Sequence, residues 1–510
     1  MDKNLLWAVA LSIAVYALWF GAIEKRTVRP VVPARSALAT PAEPGSPAPQ
    51  AQAEAAPPER TRDLKAIAAE AQAFNTRDAE LLIHPRGAAI VSCRYRDPLG
   101  SVELVKEPEP GLFSTWPDLN FTREPSEDGL ARYAAVRPDG MRIFKEFVPE
   151  GPQSLPRIRI RLVNPTARPL ASGAWTLTIG PGLGTVPNEE KENVRVWRAL
   201  GLLYGGQGLD GKVEVFKQAQ EHAGPYRWVG IDNRYFLAAA VPATEDFASV
   251  KSSLPPLVAL QAKDVTLAPG AERVWDIPYY LGAKGNTRLT RYHCGLERSI
   301  DFGFFAPLGR LMLNVISRIQ SRIGNWGWAI VIMTFLMQAL LLPLTFKSLK
   351  AMTVMRKLQP EISRLQQKYA KDASRLNAEM MELYKKSGAN PLGGCLPLLL
   401  QMPVFIALFN TLRNAWELHG AAWIFWVHDL SAKDPYRVLP IVMGAVMWLQ
   451  NRLNPATASD PTQKMMMNWM PVIFTVMFMN TPAGLVLYWL TSSIISASLQ
   501  MALKRHFEAA

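Results

Sequence analysis

Cysteine and histidine are scarce: the chain has three of the first and six of the second in 510 residues. Cys93 and Cys294 lie in a polar-rich region, where they would pair only in an oxidising compartment. Cys395 lies in an apolar one with no partner, and three free thiols is the plainer reading. The histidines His84, His222, His293, His419, His428 and His506 form no HExxH and no paired ligand spacing, which speaks against a metal site. No Walker-type loop occurs. The glycine-rich "GPGLGT" at Gly180 to Thr185 lacks the lysine of a phosphate loop and reads as a turn between strands. No metal or small-molecule cofactor is expected, and the chain is read as a non-enzyme, with no catalytic residues. Charge is also low, at 19% of residues, and the formal excess of +13 is read first as a topology signal, ahead of nucleic-acid binding.

What the chain has instead is apolar length. Its 49% hydrophobic content averages two unlike regions. The run from Leu5 to Ile23 is 19 residues, enough for one span. The triplet Ala37-Leu38-Ala39 lies too far beyond it for signal cleavage, so residues 1–26 are expected to be an uncleaved anchor. Residues 27–60, dominated by Pro and Ala, cannot bury a core and read as a tether. Residues 61–297 alternate in short segments, "RIRIRLV" at Arg157 to Val163 and "WTLTI" at Trp175 to Ile179, which predicts an all-β sandwich domain. Residues 298–323 set Leu308, Leu311, Met312, Val315, Ile316 and Ile319 opposite Arg310, Arg318 and Gln320, an amphipathic helix for the membrane interface or for packing on the β domain.

Five further apolar runs follow, near Trp326 to Thr345, Leu392 to Leu412, Val438 to Leu449, Trp469 to Met479 and Gly484 to Leu503. With the anchor they make six spans, the second within 324–346 and the last four within 391–503. Between them, residues 347–390 carry a heptad seam of Met355, Leu358, Ile362, Leu365 and Tyr369, continued by Leu376, Met380 and Leu383, which predicts a helical hairpin. Its bases outnumber its acids, and residues 504–510 are basic, so hairpin, N-terminus and C-terminus are expected in the cytoplasm and the β domain outside. Lys25, Arg26 and Arg29 run against that rule, which is a sum over loops. The hairpin's basic face reads as a solvated, topology-setting face, with ribosomal RNA as the alternative partner.

Two spans are short. Between Arg437 and Gln450 lie 12 residues, and between Asn468 and Asn480 only 11. At about 1.5 Å per residue each core covers roughly 18 Å of a hydrocarbon layer near 30 Å, so the pair reads as a transmembrane hairpin that thins the bilayer. Polar residues also recur inside the spans. Trp489, Ser492, Ser493, Ser496 and Gln500 form a stripe along the last one, Thr334 and Gln338 lie one turn apart on the second, and Gln401 sits on the third. Each alone reads as helix glue, and the set reads as a shared polar groove. Such a groove, opening inward, shortens the crossing of polar segments of a nascent chain.

The stretches "MDKNLL", "GNWGWAIVIMTF", "LQPEI", "NPLGGCLPLLLQMPVFIALF", "WVHDLSAKDPY", "LPIVMG", "MPVIFTVMF" and "GLVLYWLTSS" together strongly resemble the YidC family of membrane protein insertases, in its Gram-negative form. The likeness covers the whole membrane half. It is looser in the β domain, at "YRWVGIDNRYFLAAAVP" and "IPYYLGAKGNTRL". It implies a β-supersandwich periplasmic domain, a five-helix core with an inward-open hydrophilic groove, and ATP-independent insertion and folding of nascent membrane proteins in the bacterial inner membrane. It further implies a Sec translocon as a partner, and ribosome and signal-recognition components near the hairpin and tail. Thr334 and Trp489 match groove positions of the family, and Gln450 is a weaker match. The family usually carries an arginine where this chain has Gln338, which weakens the expected attraction for acidic termini; Arg413, near the outer surface, is no obvious replacement. With Ser492, Ser496 and Gln401 from the stripe pattern, these residues make the candidate substrate groove. A polytopic transporter is the alternative, without the internal repeat or coupling acid such a protein tends to show. A carbohydrate-binding role for the β domain would rest on fold alone.

Overall fold

In the computed structural model, the described residues are 70–126, 129–204, 211–370, 372–388, 396–453 and 461–509. The expected anchor and tether at 1–60, and Cys395, lie outside them. The chain forms two compact units. One runs to Ala283 and includes Arg288–Ser299, and the other holds Lys284–Thr287 and Ile300 onward.

The first unit is all-β. A nine-stranded antiparallel sheet runs, from edge to edge, through Val213–Phe216, Arg198–Leu203, Tyr226–Asp232, Phe236–Ala240, Glu272–Ala283, Arg157–Val163, Arg142–Val148, Ala131–Val136 and Thr122–Glu124. The "RIRIRLV" strand alternates strictly, with Ile158, Ile160 and Leu162 buried and the arginines half-exposed, as period two requires of a sheet with one covered face. A second sheet, of Thr176–Ile179, Leu257–Ala262, Phe247–Ser253 and Gln220–His222, meets the first through Trp175 against Trp275, ring centroids 5.4 Å apart. A third, of Gln72–Asn75, Ala79–His84, Ala89–Asp97 and Gly100–Glu103, touches it through Tyr95 and Phe236 at 5.6 Å. "GPGLGT" is a loop after the strand ending at Ile179, but not the expected turn between strands, since it leads to the short helix α1, Glu190–Val196. Cys93 and Cys294 are free thiols, and burial pushes both up, Cys294 to about 11. Lys145 is fully buried in this unit and donates to Gly87 O, Phe113 O and Thr115 Oγ1 at 2.6 to 3.1 Å; burial holds its amine well below the usual lysine range.

The second unit is helical. The short helix α2, Asn286–Thr290, begins in it, and α3 (Ala306–Ile323), α4 (Trp326–Lys368), α5 (Ala373–Lys386), α6 (Leu396–Asn414), α7 (Val438–Leu453), α8 (Pro461–Phe478) and α9 (Ala483–Ala509) follow. Helix α3 buries Met312, Leu313 and Ile316 against α4 and α6 and leaves Arg318 and Arg322 outside. Leu311, expected on the apolar face, is 60% exposed, and Leu313 takes its place because it faces the neighbouring helices. Gly324 ends α3 in the left-handed region that glycine adopts without strain, and Asn325 then caps α4 by accepting from Trp328 N–H at 3.0 Å.

Helix α4 is one element of 43 residues that continues from the apolar run into the charged segment, past Pro343 and Pro360. Its far end pairs with α5: Ile362 is buried, Tyr369 OH donates to Glu379, and Arg375 stacks on the Tyr369 ring. Among the described residues, two segments are long and apolar enough to cross a membrane, Trp326–Phe346 and Ala483–Ala502, and Asn468–Phe478 is a shorter apolar one.

Candidate functional site

The candidate groove residues all lie on α4, α6, α7 and α9. Trp326 to Phe346, Leu396 to Leu412 and Ala483 to Ala502 contain no Asp, Glu, Lys or Arg, so each polar side chain there is neutral. Helix α9 is the hub: it packs against α4, α6 and α7.

Two bonds join these helices at the candidate residues. Gln338 of α4 donates from Nε2 to Ser492 Oγ of α9 at 2.6 Å, and Gln401 of α6 donates to the phenol oxygen of Tyr488. Tyr488 and Ser492 are one turn apart on one face of α9, so amides from two helices converge on a single strip. An unmade bond would cost several kcal/mol in hydrocarbon, which is why amides at these positions have partners.

Thr334 behaves differently. It is fully buried, and its hydroxyl donates back to Ile330 O at 2.7 Å within its own helix. Thr411 of α6 does the same to Ala407 O. Trp489, one residue past Tyr488, turns into an aromatic cluster with Phe405, Phe474 and Phe478, its ring centroid 4.9 to 5.5 Å from theirs. Ser496 and Gln450 are half-buried, farther along α9 and α7. The structure thus brings Gln338, Ser492 and Gln401 to one strip, with Thr334 and Trp489 directed elsewhere. Tyr488 was not among the expected residues. Its signal was present, since it extends the stripe by one turn before Ser492, but a tyrosine among Leu and Val reads as core.

The loops at one end of the bundle are also ordered by carboxylates. Asp434 accepts from Trp426 Nε1–H at 3.0 Å and from Leu439 N–H at 2.7 Å, which fixes the start of α7. Glu417 accepts from Asn286 N–H at 2.6 Å, and burial pushes its carboxyl up.

Comparison with known proteins assigns the chain to a family. The model of a 60Kd inner membrane protein matches residues 318–510, and that of the YidC periplasmic domain matches residues 207–315. A membrane protein insertase YidC from Endomicrobium trichonymphae is 36% identical over 446 residues, which cover 83% of each chain. The chain belongs to the YidC family. Another family member, from Francisella philomiragia subsp. philomiragia, is 42% identical over 284 residues, 55% of this chain and 51% of that one. A crystal structure of an active YidC insertase with its first transmembrane domain resolved aligns with 84% of this chain and 92% of its own, at 16% identity and a TM-score of 0.40. The two family models together match residues of both the β unit and the helical unit.

Proposed function

We propose that this chain inserts and folds nascent inner-membrane proteins, alone or beside a Sec translocon, by lending a polar seam inside its helical bundle to segments that must cross the bilayer. The topology that goes with this reading has six spans, the anchor at 1–26 and five core helices. The β unit lies in the periplasm, and both termini lie in the cytoplasm. The α4–α5 pair and the basic tail are the docking place for ribosome and signal-recognition components, and the groove opens toward them.

One observation carries the route: Gln338 bonds Ser492, and Gln401 bonds Tyr488, inside helix segments that hold no charge. A polar group crossing bare lipid costs several kcal/mol unless it finds a partner. Neutral donors and acceptors supply partners without binding a charge tightly, so the passenger leaves again. No covalent step is required, since burying the client's own apolar span in lipid releases the free energy. The work is that of a catalyst of partitioning, not of an enzyme making or breaking bonds.

Depletion of the protein in cells, followed by a small single-span client, tests the reading. Loss of insertion is expected. Undiminished insertion, together with solute uptake by vesicles of the purified chain, would instead identify a transporter.

A further inference from the structure

The polar strip is closed on itself. Gln338 commits one of its two N–H donors to Ser492 and Gln401 one of its two to Tyr488, so both amides are engaged by α9 before any client arrives. We propose that these two bonds form a latch, which an incoming polar segment opens by exchanging them for its own, with Ser492 and Tyr488 as the positioning residues that hold the amides until then. The inference deepens the insertase reading and rests on it.

Three features fit an exchangeable pair better than fixed glue. Both bonds are neutral, and an average interhelical hydrogen bond in a bilayer shifts an equilibrium only about threefold, so a client's backbone amide or hydroxyl competes on nearly equal terms. Both end on the same strip of α9, one turn apart, so one extended segment lying along that strip reaches both. The threonines Thr334 and Thr411 on the same two helices are satisfied inside their own helices and take no part, which leaves the amides as the groups a client displaces.

The sign of one effect separates latch from glue. The full chain is reconstituted in vesicles of phosphatidylethanolamine and phosphatidylglycerol. Its insertion of a single-span client is followed by protection of the client's Ser- and Asn-rich tail. Ser492→Ala frees the Gln338 amide; the latch predicts that tail crossing speeds up about threefold, whereas glue predicts that it slows. Tyr488→Phe is expected to act in the same direction through Gln401. In a background of Cys93→Ala, Cys294→Ala and Cys395→Ala, the pair Gln338→Cys and Ser492→Cys ties the strip shut on oxidation. Insertion is expected to be lost when the pair is oxidised and to return on reduction. Slower crossing in Ser492→Ala, or equal insertion by the oxidised and reduced pair, would overturn the latch while wild-type insertion leaves the insertase reading standing. A wild-type chain that inserts nothing would overturn both.

Discussion

Replacing Gly444 with alanine probes how closely α7 and α8 approach. A Cβ at Gly444 would stand 1.9 Å from Thr475 Oγ1 and 3.3 Å from Thr475 Cβ. That hydroxyl donates to Pro471 O at 2.7 Å, one turn back along α8, and it cannot stay in place beside a methyl group. Rotating it away forfeits the bond, about 0.6 to 1.7 kcal/mol in a bilayer. The remaining contact forces the helices apart by a few tenths of an ångström. Together these fall within the roughly 1 to 3 kcal/mol that overpacking costs. A loss of about 2 kcal/mol corresponds to a fall in Tm of about 4 to 8 °C for a unit of this size. The assay is a double-mutant cycle on detergent-solubilised full chain, from the Tm of Gly444→Ala, Thr475→Ala and the double variant. Thr475→Ala removes both the hydroxyl and the methyl, so the double variant should recover most of the loss, with a coupling of about 1 to 2 kcal/mol. An unchanged Tm for Gly444→Ala, or losses that simply add, would refute the close approach.

Gln338→Leu should impair insertion more than Gln338→Arg, and Arg should selectively help clients with acidic translocated tails, because its charge acts strongly in a partly dry seam. Paired clients differing only in tail charge measure this; if Leu is harmless and Arg changes nothing, Gln338 is helix glue. Ile362→Asp buries a carboxylate where α4 and α5 pair and should speed tryptic cleavage after Lys368 and Arg375 without disturbing the apolar helices; unchanged cleavage counts against the pair. Burial holds the Glu417 proton more tightly in the fold than in the unfolded chain, so this group's stability contribution falls as pH rises from the ordinary carboxylate value through the raised one. Glu417→Gln keeps an acceptor for Asn286 N–H and should flatten the slope of Tm against pH; a slope equal to wild type refutes the assignment.

The β unit was legible because one covered face forces period two, and "RIRIRLV" displays it without interruption. The helical unit was legible from apolar length, yet its boundaries were not. The span was expected to stop by residue 346, ahead of Lys347, and α4 continues through that point and past Pro360, since a proline removes one hydrogen bond and the next turn restores the ladder. At the candidate site, four-residue spacing singled out Gln338 and Ser492 because it sets a face, while Gln401 stood out only as an amide in an apolar run. It could not distinguish Thr334, whose short hydroxyl reaches its own backbone, from Gln338, whose longer amide reaches the next helix. Tyr488 and the Trp489 ring cluster depend on which helices are neighbours, and no local pattern carries that.

The unbroken length of α4 makes it a lever. Gln338 and Ile362 ride on one helix, about 36 Å apart at 1.5 Å per residue. A helix resists compression along its axis, so a load on its paired far end arrives at Gln338 as a displacement of the whole rod. Its compliance is concentrated at Pro343 and Pro360, where a backbone donor is missing. Pro343 stands just five residues beyond Gln338, so bending there swings the amide relative to Ser492 and leaves the remainder of the rod straight.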